Sequence, residues 1–384
     1  MINILQFLII IPFTLVTAIF IGRRLSFGHN ISLIIFSVHT FYCIVYWYVG
    51  TQVGYSDSIL YFNVSLIYDF NWLPGNFFVI STTKVFTDIL GLNMLNTFLV
   101  FNIFGIIGIQ FLLRVLLDIW PKSRNIISYM PYFIILLPGH SFWSSAIGKD
   151  GFAYLSVCLL LYGMHFNKYS YLIISIFLMF FVRPHIGFVM LISFLITFVV
   201  SKLNKSLFQY LIFIFAIVTI FSVSAIVIKY VGIKSLSLDA LLEFIKSRGE
   251  IGLGGGSTYT NVCNAGYCTQ SGTFSSMVFR YLFSPLFYDA KNVTAILFSL
   301  ESLFLLIFFI KYILFKLTYI LKNVRIPIIC YSLIHSITLI VLLSLTTVNT
   351  GIALRQKYMI LPFLFIIGSM AAKNYYIKSK YRKN

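Results

Sequence analysis

Long apolar runs separated by short polar connectors recur along the whole chain. Windows of spanning length mark candidate membrane helices near residues 2–21, 31–50, 94–117, 125–142, 151–166, 207–230, 292–316, 326–345 and 357–372. The region 169–200 is long enough for one span, or for two short ones meeting at Arg183-Pro184-His185. Connector Lys and Arg gather on the cytoplasmic side of a membrane, and this arbitrates between the two. With two segments, Arg23/Arg24, Lys122/Arg124, Lys168, Lys202/Lys205 and Lys322/Arg325 all fall inside, together with the tail from Lys373 to Asn384. With one, the first three groups fall outside. The pattern therefore predicts an all-α polytopic integral membrane protein of about 11 transmembrane helices, N-terminus outside and C-terminus inside. The first apolar run has no basic residues before it and carries Arg23 and Arg24 after it, so it reads as a retained span. Residues 1–384 read as a single transmembrane domain with one large outer loop, 232–291, and no internal repeat.

In that topology the unusual residues share one face. Tyr55 to Asp69, His140 to Asp150, Arg183-Pro184-His185, the loop from Gly232 to Lys291, and Asn349 to Lys357 all emerge on the outer side. Composition agrees with the membrane assignment, since 60% of 384 residues are hydrophobic and only 10% charged, more apolar surface than a soluble domain can hide. A net charge of +18 raises the question of nucleic acid, but the basic residues sit in short connectors rather than on one face of a soluble fold. The bilayer is the expected partner and nucleic acid is not. Gly252 to Ser257 and the polar run to Ser276 predict a flexible, wet loop suited to covering a substrate. Cys43, Cys158 and Cys330 lie within spans and read as small apolar residues. Cys263 and Cys268 flank four residues of the outer loop, where an oxidising compartment favours a disulfide over two free thiols.

Chemistry concentrates in Leu137 to Asp150, where a Pro138-Gly139 pair, His140, three Ser, Trp143 and an adjacent Lys149 and Asp150 interrupt apolar sequence. Pro138 removes a backbone donor and Gly139 loosens the chain, so the arriving helix breaks before it reaches water and forms the lip of a cavity. The plainer alternative is a polar connector with Trp143 in an aromatic belt. An Arg near mid-membrane costs roughly 2.5 to 3.5 kcal/mol on insertion scales and is retained for a partner or a ligand, which singles out Arg183 against an interfacial, snorkelling Arg. Arg355, with Gln356 and Lys357, and Arg280, just before an apolar run, invite the same two readings. A guanidinium fork suits the paired oxygens of a diphosphate, so several Arg on one outer face suggest an anionic, membrane-borne ligand. Asp57, one helical turn before Tyr61, either deprotonates a sugar hydroxyl or pairs with an Arg for structure. His140 and His185 are candidate general bases, or hydrogen-bonded interface residues. Asp150 beside Lys149 also suits the N-terminus of the next span. Glu301, inside a span, requires a partner or a proton, and Lys311 is too far along to supply one.

The sequence holds no Walker loop, Rossmann glycine pattern, zinc-binding His-Glu motif or nucleophile elbow, which disfavours ATP-driven transport and metalloprotease chemistry; no metal or cofactor is expected. An ion-coupled carrier would show more acidic residues within spans and two related halves.

Phe142-Trp143-Ser144-Ser145-Ala146-Ile147-Gly148-Lys149-Asp150, Val182-Arg183-Pro184-His185, Gly254-Gly255-Gly256-Ser257, and Asn349-Thr350-Gly351 to Arg355-Gln356-Lys357 occur in this order along most of the chain. In these stretches it resembles the bacterial O-antigen and capsule repeat-unit polymerases of Wzy type, the Trp-Ser-Ser to Lys-Asp stretch being the distinctive one. The polymerases often carry an Arg followed eleven residues later by Gly, a spacing met by none of Arg183, Arg248, Arg280 or Arg355. The resemblance implies a glycosyltransferase at the periplasmic face of the bacterial inner membrane. It would move a glycan from undecaprenyl diphosphate onto the next lipid-linked repeat unit, with a chain-length regulator protein as a further partner. Arg183, Arg280 and Arg355, with Lys149 and Lys357, would hold the diphosphate, and Asp150 and Trp143 would complete the substrate-binding set. His185 or His140, ahead of Asp57, would take the acceptor proton, and the loop from Gly252 to Ser276 would close over the sugars. The alternatives are a GT-C-type lipid-linked-sugar glycosyltransferase, with Asp57 as base, and a non-enzymatic polysaccharide flippase or scaffold.

Overall fold

The computed structural model describes residues 4–54, 56–121, 126–202, 261–264, 267–270, 273–290, 293–347 and 349–381. They form a helical, multi-pass membrane protein. Six described helices are long and apolar enough to cross a bilayer, or seven when one bent pair is counted as a span. The chain divides into two compact units, Met1–Gly187 and Phe188–Asn384.

The first unit begins with α1 (Ile4–Arg24) and α2 (His29–Val53), continues through the short α3 (Asp57–Ser65) and α4 (Asn76–Lys84), and enters the long α5 (Met94–Ile119). Of these, α3 and α5 start where the sequence offers a side-chain acceptor. Ser56 Oγ accepts the Ile59 amide at the start of α3, and Asn93 Oδ1 accepts the Asn96 amide at the start of α5. After α5 come α6 (Met130–Ile135), α7 (Pro138–Ser144), α8 (Lys149–His165) and α9 (Tyr169–Val182), and α10 (Pro184–Lys202) leads out of the unit.

Side-chain pairings fix the direction of these helices. Gln6 Nε2 donates to the Gly91 carbonyl at 2.7 Å, and Gln110 Nε2 donates to the Ala18 carbonyl at 2.8 Å, so α1 and α5 run parallel. The Phe101 ring meets Phe152 and the Phe111 ring meets Tyr162, with centroids 5.6 and 4.8 Å apart, so α8 is parallel to α5 as well. Close approach between these two comes from Gly108, whose missing Cβ leaves room for Tyr154 and Leu155. Tyr46 against Phe98 and His39 against Asn102 set α2 antiparallel, and Ser156 Oγ donating to the Ser175 carbonyl sets α9 antiparallel to α8. Residue 4, the end of α2, the starts of α5 and α8 and the end of α9 therefore share one end of the unit. Arg23, Arg24 and Lys168 stand at the opposite end. The shared end is closed by an apolar cluster that includes Tyr61, Phe62, Val79, Phe98, Phe101, Ile147, Phe152 and Val182.

Two expectations meet the structure here. The window 125–142 is not one span, because α6 ends at Ile135 and α7 restarts at Pro138, whose ring occupies the first turn of a helix without loss of a bond. The region 169–200 is two helices that break at Arg183, whose carbonyl accepts the Ile186 and Gly187 amides at 2.9 Å. At 14 residues, α9 is shorter than a full span.

In the second unit a two-stranded antiparallel hairpin, β1 (Asn261–Asn264) and β2 (Tyr267–Gln270), pairs Cys263 with Cys268 in register. It is followed by α11 (Phe274–Phe283), α12 (Val293–Tyr312), α13 (Leu317–Lys322), α14 (Pro327–Thr346), α15 (Thr350–Lys357) and α16 (Leu361–Tyr381). The last two are bent by 51° to one another, so the expected span 357–372 is the second arm of a broken helix. α11 packs on α14 and α15, and α16 on α12 and α14. The candidate span 207–230 and the Gly252 to Ser257 run lie outside the described residues, as do Lys122, Arg124 and Lys205.

Candidate functional site

Seven of the ten catalytic and substrate-binding residues read from the sequence lie in the first unit: His185, His140, Asp57, Arg183, Lys149, Asp150 and Trp143. All but His140, which lies deeper beside Tyr154, sit toward the end where α8 starts and α9 finishes. Asp150 is the second residue of α8 and Arg183 follows the last residue of α9, and the antiparallel packing of these helices brings the two together. Arg183 Nη2 donates to Asp150 Oδ1 at 2.6 Å, with the side chains only 12% and 14% exposed. The guanidinium is not fully used. Its Nε is buried and has no hydrogen-bond partner among the described residues. A buried charged donor without an acceptor costs about 1–3 kcal/mol or more. Lys149 opens α8 beside this pair and is half-buried, as is His185 in the first turn of α10.

The pair lies below the end of the bundle. Phe152, two residues after Asp150, packs on Phe101, which is seven residues into α5, roughly 10 Å along its axis at 1.5 Å per residue. α4 stands over the same place, with Phe78 against both Phe152 and Phe181 at centroid distances of 5.6 and 5.4 Å.

α7 inserts deeper. Phe142 packs against Tyr46 of α2, and Trp143 meets Tyr46 edge-on at 6.0 Å, so Trp143 is part of an inter-helix aromatic cluster. His140 is fully buried, its ring 5.3 Å from that of Tyr154. At the foot of α7 a polar chain links three elements, and sequence reasoning missed it. His39 Nδ1 bonds Asn102 Oδ1, His39 Nε2 shares a hydrogen bond of 3.0 Å with Ser144 Oγ, and Asn102 Nδ2 donates to Thr40 Oγ1 at 3.1 Å. His39, Asn102 and Ser144 are all buried. The signal for His39 and Asn102 was present as polar residues in the middle of apolar windows, which must find partners inside a membrane.

Asp57 is exposed in the first turn of α3. Tyr61, one turn on, gives its hydroxyl to Asn76 Oδ1 at 2.9 Å.

The remaining three residues lie in the second unit. Arg280 bonds within its own helix, Nε to the Ser276 carbonyl and Nη2 to Ser276 Oγ, each at 3.3 Å. Arg355 is half-buried in α15, a helix capped by Asn349 Oδ1, which accepts the Gly351 amide at 2.8 Å. Lys357 is 1% exposed, and its ammonium donates to the Ser284 carbonyl at 2.7 Å. Glu301, also buried, accepts from the Tyr358 hydroxyl, with Lys357 close enough to interact electrostatically. Tyr358 is the partner that the sequence did not identify; a residue at the break between α15 and α16 has no periodic relation to one in the middle of α12.

No family model, no curated protein and no solved structure matches this chain.

Proposed function

We propose that the chain is a membrane glycosyltransferase of repeat-unit polymerase type, acting on undecaprenyl-diphosphate-linked oligosaccharides at the periplasmic face of a bacterial inner membrane. The observation that carries this reading is the buried Arg183–Asp150 pair with its uncommitted Nε, set at a helix break and beside Lys149. A diphosphate offers paired anionic oxygens to such a fork. Orientation is consistent with it. The opposite end of the unit bears Arg23, Arg24 and Lys168, and the positive-inside tendency assigns that end to the cytoplasm.

In this reaction the acceptor hydroxyl oxygen attacks the anomeric carbon of the donor glycan, the bond from that carbon to the diphosphate oxygen breaks, and the carrier diphosphate leaves. Arg183 and Lys149 stabilise the charge that grows on the leaving oxygen. His185 takes the proton. It is preferred to His140 because it is half-buried in the first turn of α10, whereas His140 is sealed between α7 and α8. Arg280 and Arg355 are proposed as anion contacts of the second unit by itself, and a chain-length regulator as a partner in the membrane.

The test is deletion of the gene in its own strain, with the surface glycan resolved on a gel and plasmid copies for complementation. Glycan capped with a single repeat is expected in the deletion and with Arg183→Ala, the variant protein still accumulating in the membrane. A full ladder with Arg183→Ala removes that residue from the site, and a full ladder in the deletion refutes the proposal. Complete loss of repeats assigns the chain to an earlier transfer or flipping step. Exposure of Asp57 in the segment between α2 and α5 keeps a GT-C-type mechanism in view. Asp57→Asn abolishes activity in that mechanism and weakens it only mildly in the polymerase.

A further inference from the structure

Between α3 and α4 the chain turns through Leu66 to Gly75 and shows apolar side chains outward almost without interruption. Leu66, Ile67, Tyr68, Phe70, Trp72 and Leu73 are all exposed, Ile67 by 80% and Trp72 by 50%. In water such a strip would be a liability, since burial of apolar area is favourable at about 25 cal/mol per Å². The turn is nonetheless well built. Ser81 Oγ donates to the Asn71 carbonyl and accepts the Asn71 amide, both at 2.7 Å, and Phe70 stacks on Trp72 with centroids 6.1 Å apart. The strip is held in a defined shape with its apolar side outward.

Its depth indicates what covers it. The Gly75 amide donates to the Phe181 carbonyl at 2.8 Å, which ties the turn to the last residues of α9, level with the Arg183–Asp150 pair. The turn therefore lies alongside the bundle, below the start of α5. Phe78 continues the contact onto Phe181, and the outward face of α9 is itself apolar, with Ile173, Ile174 and Phe177 all exposed. On a helix of a multi-pass membrane protein that face meets lipid, and the strip is continuous with it. Charge sets the depth. Between Ser58 and Leu90 the charged residues are Asp69, Lys84 and Asp88; Lys84 Nζ and Asp88 Oδ2 neutralise each other at 2.5 Å, the ammonium also lies over the Phe70 ring, and Asp69, exposed within the strip, holds that point of the turn at the headgroup level. Aromatic residues with Trp, a low charge and a non-spanning helix pair are the composition of an interfacial element.

We infer that α3, the turn and α4 form a hairpin seated in the lipid leaflet, with the Leu66–Leu73 strip in contact with acyl chains. A consequence follows for the neighbouring pair: Arg183 and Asp150 are flanked by lipid on the hairpin side, so a ligand reaching them from that side is an amphiphile whose headgroup stays at the interface. This rests on the membrane-spanning fold and not on the polymerase reading, so either can fail alone.

The test uses the full chain reconstituted in bilayers, with Trp47, Trp120 and Trp143 changed to Phe so that Trp72 is the sole reporter. Lipid brominated in its acyl chains is expected to quench most of the Trp72 emission, while aqueous iodide leaves it nearly unchanged. Strong quenching by iodide without quenching by bromolipid overturns the inference. So does protection from both, which means that a second copy or another protein covers the strip. Should the triple Phe background fail to fold, a nitroxide attached at Leu73→Cys, in a chain whose Cys263 and Cys268 are Ser, reads the same contrast. Collision with oxygen is then expected to exceed collision with a water-soluble nickel complex, and the reverse order overturns the inference.

Discussion

Gly105 lies where α5 passes α2 and α7, and an added methyl group there tests the seating of α7 directly. The Cβ of an alanine would fall 2.5 Å from His39 Cε1, 2.6 Å from His39 Nε2 and 2.6 Å from the Ser144 carbonyl oxygen. Ordinary contacts are nearer 3.5 to 4.0 Å, so both neighbours must retreat by roughly 1 Å. Neither has room to give. The His39 ring is held from both nitrogens, by Asn102 and by Ser144, and the Ser144 oxygen is backbone at the end of α7. Overpacking of a dense core costs about 1–3 kcal/mol, and a buried hydrogen bond opened in the process adds about 1 kcal/mol or more. Against this stands the intrinsic preference of a helix for Ala over Gly, about 1 kcal/mol in the other direction. Gly105→Ala is therefore expected to destabilise by about 1–3 kcal/mol net. The measurement is the unfolding midpoint of the purified protein in detergent, with Gly108→Ala alongside. There the added methyl would meet Tyr154 at 3.0 Å and Leu155 Cα at 3.3 Å, so a smaller loss is expected. A midpoint for Gly105→Ala that is unchanged or raised, as helix propensity alone would give, refutes the placement of His39 and α7 against this glycine.

Removing the Tyr358 hydroxyl by Tyr358→Phe takes away a donor to buried Glu301 and is expected to lower the unfolding midpoint by the equivalent of about 1–3 kcal/mol; an unchanged midpoint means that the contact contributes nothing. Opposed residues of an antiparallel pair have Cα atoms about 4.5–5.5 Å apart, within the range a disulfide spans, so the register of Cys263 and Cys268 is suited to oxidation. Alkylation of unfolded, unreduced protein followed by mass measurement is expected to modify Cys43, Cys158 and Cys330 only, and five modified cysteines would refute the bridge.

The long apolar helices α1, α2, α5, α10, α12 and α14 were legible because hydrophobic period is a local signal, although the described residues hold six or seven spanning helices where about 11 were expected. Pro138 gave the break before α7, and Arg183-Pro184 gave the break after α9. What the sequence left hidden are pairings between residues far apart in the chain: His39 with Asn102 and Ser144, and Tyr358 with Glu301. His39, Asn102 and Glu301 look like isolated polar residues in apolar runs, and only the packing of distant elements gives them partners. The embedded position of α3 and α4 was hidden for a different reason. Both helices are 9 residues long, too short to register as spans.

Helix breaks and cations coincide in this chain, and the coincidence has two possible causes. A break inside a membrane leaves carbonyl oxygens without amide donors, and a Lys or Arg nearby can satisfy them with no ligand involved. Lys357 behaves this way: at the end of α15, beside the 51° bend, its ammonium donates to the carbonyl of Ser284. Arg183 differs. Its own amide donates to the Met179 carbonyl, its own carbonyl caps α10, its guanidinium goes to Asp150, and Nε remains. The amide and carbonyl of Arg183 are thus satisfied without its side chain, which is engaged with Asp150. The two residues should then respond differently to substitution. Lys357→Met is expected to shift the unfolding midpoint, because it removes the donor to Ser284, while the surviving protein keeps a normal glycan ladder. Arg183→Lys keeps the charge but loses the planar fork, and is expected to fold and to shorten the ladder. The reverse assignment, a lost ladder with Lys357→Met and a normal one with Arg183→Lys, would move the anion site to the second unit and leave the Arg183–Asp150 pair as scaffolding.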